Sequence, residues 1–274
     1  MVSATTFAAI VAFLVGASVG SFLNVVIDRV PAGKSLIRPR SFCDSCQKTL
    51  QDRDLVPIVS YLALRGHCRA CGARIPLRVI LVEILTAGLF AGLALAYGPH
   101  AEFIVLAAAA AYFIAIAGID YDRQLILHSM TLPAMAVVLA ISFFWPHMGL
   151  ARTFLGHDGA WAAFVNSLLS GLASAAAFLA IYIATAGRGM GEGDITLAAV
   201  MGFLFGFPGI VLALWLGIVV GGVIAIGLLV LRKKSRKDAV PFGVFLAVGA
   251  IASTFLLHWI TVRYQEMGLR AFTL

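Results

Sequence analysis

Long apolar stretches separated by short polar ones dominate the chain. Apolar runs lie near 4–27, 78–97, 101–119, 130–148, 162–186, 209–231 and 240–262. Each approaches the roughly 20 residues that a helix needs to cross the hydrocarbon core of a bilayer. A shorter run, 195–207, ends at Pro208 and suits only a short or tilted span. The pattern predicts an all-α integral membrane protein of about eight transmembrane helices. The first run has no basic residue before it and exceeds a signal-peptide core, so it reads as a retained first span.

Composition agrees. The chain is 61% hydrophobic and 12% charged, about half the charge of a soluble domain. The basic residues then orient it. Segment 28–78 carries ten: Arg29, Lys34, Arg38, Arg40, Lys48, Arg53, Arg65, Arg69, Arg74 and Arg78. Segment 232–237 carries five, and Arg123 and Arg188 flank other runs, so 17 of the 20 Lys and Arg lie in four segments. With eight spans all four fall on one side, which the positive-inside bias makes cytoplasmic. Seven spans would split them. Both chain termini are then expected on the outer side. The net charge of +7 is mostly this topology, with some attraction to anionic membrane lipid. Basic residues are not interleaved with aromatics as on a nucleic-acid face, so no nucleic-acid partner is expected.

Four cysteines form two C-x-x-C pairs, Cys43/Cys46 and Cys68/Cys71. Two such pairs complete the tetrahedral thiolate set that Zn²⁺ prefers, and four thiolates leave no open position, so the zinc is expected to be structural. Cytoplasmic placement argues against stable disulfides. Redox pairs and unliganded core cysteines are the competing readings. The predicted organisation is a first transmembrane helix (1–27), a small cytoplasmic zinc-binding domain (28–77) and a seven-helix membrane domain (78–274).

Carboxylates inside apolar runs are costly and are functional candidates by default. Asp194 closes Gly191-Glu192-Gly193-Asp194 and Asp120 ends a run, two residues before Asp122. If Asp120 and Asp194 meet, they share a proton and can hold one water, one as base and the other as acid. Asp194 also reads as a helix N-cap, and Asp120 as a loop residue that Asp122 could replace. A proton or ion relay uses the same groups. Glu83 reads as an edge residue paired with an arginine such as Arg78, or as a ligand group. Asn24 reads as interhelical glue. Gly16/Gly20 and Gly217/Gly221 suit close helix packing within one bundle.

Taken together, these residues resemble the type IV prepilin peptidases, membrane aspartic enzymes of the GxGD type from pilus and type II secretion systems. The likeness runs through Gly20-Ser21-Phe22-Leu23-Asn24-Val25-Val26, Arg29-Val30-Pro31 and the two cysteine pairs. It continues through Pro57 to Leu62, Pro76-Leu77-Arg78 to Glu83, residues 118–122, and Gly191 to Asp194. The resemblance implies an aspartic endopeptidase of the bacterial cytoplasmic (inner) membrane. It implies removal of the basic leader of prepilins and pseudopilins at the cytoplasmic face, with Asp120 and Asp194 catalytic and Gly191, Gly193 and Asp122 supporting. It further implies N-methylation of the new terminus with S-adenosylmethionine, for which Glu83 and Asn24 are candidate donor contacts, and a zinc-linked cysteine domain. The chain departs from that family at Leu127-His128, where Pro then Asp or Asn is usual, with Pro133 arriving later. A proton-coupled transporter using the same carboxylates is the alternative, although repeated halves are not evident.

Overall fold

The structure, a computed structural model, describes residues 4–150, 152–188, 190–231 and 241–266. The basic run 232–237 lies outside the described residues. Seven helices are long and apolar enough to cross a membrane. They are α1 (Ala4–Arg29), α3 (Leu77–Tyr97), α4 (Ala101–Arg123), α5 (His128–Ile141, prolonged by a 3₁₀ turn to Met148), α6 (Ala160–Ala184), α7 (Glu192–Val230) and α8 (Phe242–Glu266). A short α2 (Val59–Ala63) lies in the first connection. Among the described residues there are no strands, only isolated bridges. Large apolar side chains such as Phe7, Leu14, Ile104, Trp161 and Val223 stand exposed along these helices. Water does not tolerate so much apolar surface, and lipid accounts for it. The chain is a multi-pass membrane protein.

Two compact units divide the chain, Met1–Ala115 and Ile116–Leu274. In the first, α1 and α3 lie antiparallel. A Cβ on Gly16 would meet Ala87 and Phe90, one on Gly20 would meet Glu83 Cα at 2.8 Å, and Asn24 Nδ2 donates to Val79 O at 3.0 Å. Small residues on α1 thus let the two backbones touch, which is how apolar helices associate where no water drives them together. Segment 30–76 connects them, with turns and short helices rather than a core of its own.

In the second unit α7 decides the topology. Its 39 residues far exceed one bilayer crossing. It breaks at Gly206 (φ 59°, ψ 179°) and Phe207 (φ −87°, ψ 137°), where Pro208 removes a backbone donor. The first limb runs antiparallel to α6. Tyr182 Oη donates to Glu192, Gly202 packs on Ser170 and Gly171, and Asn166 bonds both N and O of Phe207. The second limb returns along α8: Gly209 meets Leu257, Gly217 meets Leu246, and Gly221 meets Phe245. The two limbs therefore run in opposite directions, and the short predicted span 195–207 is a separate rod joined to the next without a loop.

A buried polar cluster fixes this break. Arg152 Nη1 donates to Ser167 Oγ (2.7 Å) and Phe203 O (3.2 Å), and Nη2 donates to Leu204 O. Its guanidinium also lies 5.2 Å from the Trp145 ring centre. Burial pulls its pKa down to about 9, so it stays cationic at neutral pH. Its charge rests on the carbonyl end of the first limb, the negative pole of that helix.

Candidate active site

Asp120 lies in the last turn of α4 and Asp194 in the first turn of α7. They are 5% and 6% exposed. Asp194 is the third residue of its helix, and its Oδ2 accepts the Gly191 N–H at 2.9 Å. That is the reaching-back carboxylate of a capping box, so the N-cap reading is half right: Gly191 holds the cap position and Asp194 serves it. Asp120 Oδ2 accepts the N–H of Val244 at 3.1 Å, and the Gly243 N–H also bonds this carboxylate. Each acid is thus seated on backbone donors at the start of a helix.

Ile126 joins the two seats. A Cβ on Gly193 would fall 2.5 Å from Ile126 Cβ, and one on Gly243 would fall 2.8 Å from Ile126 Cδ1 and 2.9 Å from Asp120 Oδ2. Gly193 is therefore required by close approach. Asp122, two residues from Asp120, is exposed. Two neighbouring buried carboxylates can hold a water between base and acid.

In the first unit the sulfurs of Cys43, Cys46, Cys68 and Cys71 all lie within 4.8 Å of one another, and Cys43 and Cys71 are 3.8 Å apart. All four are free thiols. A tetrahedral site with Zn–S bonds of about 2.3 Å has edges of about 3.8 Å, so the donor set fits a zinc ion. Two matching turns build it. Cys43 N bonds Lys48 O while Gln47 N bonds Cys43 O, and Cys68 N bonds Ala73 O while Gly72 N bonds Cys68 O. Gln47 and Gly72 hold the same left-handed position, φ 57° and 71°. Backbone N–H groups of Cys46 and Ser45 pull the Cys43 thiol down to about 7. The Ala73 N–H favours the Cys71 thiolate, but burial and the other three thiols outweigh it and push that thiol up to about 11. Arg69, inside the second pair, donates to Asp54 at 2.7 Å and ties this turn to the Asp52–Asp54 turn.

The remaining candidates also lie in the first unit. Glu83 is 5% exposed, and its Oε2 accepts the Ile58 N–H at 2.7 Å. Ile58 has φ 64°, costly for a β-branched residue, and this bond helps to hold it. The expected Glu83–Arg78 pair does not form; Arg78 instead binds Asp28 at 2.6 Å. Residues five apart on a helix point about 140° away from each other, whereas pairing side chains are three or four apart. Asn24 bridges α1 to α3 as interhelical glue, while its buried Oδ1 has no hydrogen-bond partner among the described residues.

Residues 14–97 match the bacterial peptidase A24 N-terminal domain, and residues 107–226 match the type IV leader peptidase family. A prepilin leader peptidase/N-methyltransferase of Bacillus subtilis (strain 168) is 30% identical, over 94% of this chain and 98% of that protein. The chain belongs to the type IV leader peptidase family. Proteins of the same name from Stutzerimonas stutzeri and Pseudomonas putida are 31% and 30% identical, covering 94% and 93% of this chain and 93% and 90% of their own. No solved structure matches the chain.

As a member of that leader peptidase family the chain is a membrane enzyme, which sets the transporter alternative aside. Three parts of its site escape a reading of the sequence. Gly243 and Val244 act through backbone amides, which leave no side-chain signal, although Pro241 before an apolar run hints at a helix start. Ile126 looks like any apolar loop residue. Leu127, where the resemblance leads one to expect proline, is the N-cap of α5 and makes no side-chain cap; α5 begins at His128 without one.

Proposed function

We propose that this enzyme removes the basic leader from prepilins and pseudopilins at the cytoplasmic face of the bacterial inner membrane, with Asp120 and Asp194 sharing the hydrolytic water. One observation carries the reading: two buried carboxylates on different helices, each held by backbone N–H groups, converge where Ile126 packs against Gly193 and Gly243. The ionised member takes a proton from the water, whose oxygen attacks the scissile carbonyl carbon. The protonated member gives its proton to the carbonyl oxygen. The tetrahedral species collapses, the C–N bond breaks and the amine leaves with a proton. The return of the second α7 limb supports eight crossings, and with them the placing of both aspartates on the basic, cytoplasmic side.

The names of the relatives include N-methyltransferase, and we read this chain as methylating the new N-terminus with S-adenosylmethionine. Glu83 and Asn24 are the proposed donor contacts: a buried carboxylate and a buried amide oxygen lacking a protein partner suit the cationic centres of that donor. A structural zinc held by Cys43, Cys46, Cys68 and Cys71 organises segment 28–77; when bound it supplies cross-linking and no open coordination position. The test is incubation of purified enzyme with a prepilin peptide, with and without S-adenosylmethionine, read by mass. Asp120→Asn and Asp194→Asn should each insert normally and release no leader. Retained cleavage in either overturns the assignment.

A further inference from the structure

We propose that the first turn of α8, Gly243 and Val244, together with Ile126, forms a third functional segment of this site, one that positions Asp120 against Asp194. The inference rests on the aspartate reading above and goes beyond it, because none of these residues carries a reactive side chain.

Three observations converge. The Val244 N–H, 124 residues further along the chain, donates to Asp120 Oδ2 at 3.1 Å. Position 243 has no room for a side chain: a Cβ there would lie 2.9 Å from that same oxygen and 2.8 Å from Ile126 Cδ1. On its other side Ile126 closes on Gly193, next to Asp194, where a Cβ would lie 2.5 Å from Ile126 Cβ and 2.9 Å from its carbonyl oxygen. One buried isoleucine is therefore wedged between the two backbones that carry or hold the acids. A glycine on each side brings those backbones as near as the wedge permits. The amides orient one carboxylate and the wedge sets its separation from the other. A pair that must touch a common water tolerates little error, since misplacement by about 1 Å can cost about 100-fold in rate.

The experiment measures kcat and KM for leader removal, per folded molecule. Gly243→Ala should lower kcat by roughly 10- to 100-fold and change KM by no more than about twofold. Ile126→Ala, which removes the wedge without adding bulk, should lower kcat in the same way and keeps the test alive if Gly243→Ala does not fold. The double variant Gly243→Ala/Ile126→Val discriminates between mechanisms. Valine lacks Cδ1, so the clash with the wedge is relieved while the clash with Asp120 remains, and kcat should stay low. Gly249→Ala serves as the packing control. Gly249 lies on α8, as Gly243 does, and its Cβ would meet Ala213 O of α7 at 2.4 Å, so it should lower thermal stability with kcat per folded molecule unchanged. Wild-type kcat in Gly243→Ala or in Ile126→Ala, or recovery in the double variant, overturns the proposal. Asp120→Asn run alongside separates the two levels. Activity retained there defeats the aspartate reading itself, whereas loss there with normal kcat in the other variants defeats only this inference.

Discussion

Asn166 on α6 grips Phe207 by both backbone groups, its Oδ1 taking the N–H at 2.8 Å and its Nδ2 giving to the carbonyl at 3.0 Å. The side chain replaces, at the broken end of one rod, the hydrogen bonds that a continuous helix would have made. With Arg152 it makes the bend of α7 a built feature.

Arg152→Ala leaves the Phe203 and Leu204 carbonyls without that donor in a buried place, while Ser167 Oγ keeps only the Trp145 indole N–H at 3.2 Å. A loss of about 2–4 kcal/mol is expected. Thermal unfolding in detergent should show a lowered midpoint, and leader removal should decline only with the folded fraction. A variant as stable as the parent would mean that the cluster does not secure the bend.

Metal content is the second test. Purified enzyme should carry one zinc per chain, and Cys43→Ser should lose it. Methylation should fall further than leader removal; equal loss of both would remove the separation of roles. Metal ligation needs thiolates, so re-uptake by the stripped enzyme should rise with pH, starting at about 7 with Cys43 and continuing upward because the Cys71 thiol is pushed up to about 11. A chromogenic chelator follows it directly.

Asp54 supplies an acid-sensitive support to the same turns. The Arg69 hydrogen bond holds its carboxyl below the usual carboxylate range. A depressed value in the folded state means that the contribution is present above the unfolded value, about 4, and is lost as pH falls through the folded one. Asp54→Asn should release zinc more readily at neutral pH. The difference between variant and parent should shrink under strong acid. A difference unchanged by acid would show that this ion pair does not matter to the turns.

Glu83 separates two roles by substitution. Glu83→Gln keeps an acceptor for the Ile58 N–H but removes the charge, so leader removal should persist while methyl transfer declines. Glu83→Leu also abandons that N–H and should lower stability as well. Unaltered methylation in Glu83→Gln would exclude a charge-based contact with the methyl donor.

Much of this architecture was legible in advance because lipid imposes a simple grammar. Apolar run length marked the helices, and Pro208 after a run too short to stand alone marked the break in α7. Asp120 and Asp194 drew notice because carboxylates are scarce where they lie. The paired C-x-x-C spacing pointed to the clustered thiols. What stayed hidden has one physical cause: contacts whose partner is the main chain. Arg152 lies outside the four basic segments and carries no sequence signal, yet it serves carbonyls 51 and 52 residues away. Val244 reaches Asp120 through an amide that every residue owns. Glu83 was expected to seek a charge and found the Ile58 N–H instead. The repeated turn was equally obscure, because Gln47 occupies the left-handed position that Gly72 fills in its twin.

The bend of α7 also bears on how the enzyme could admit a guest. At that end Arg152, Asn166 and Ser167 bolt adjoining rods together with buried polar bonds. At the other, the chain just after Asp120 and just before Asp194 carries exposed residues, 122–125, Ala186 and Arg188. Local opening costs least where few buried polar bonds join the rods, so such a frame is expected to yield at the acid end before it yields at the bend.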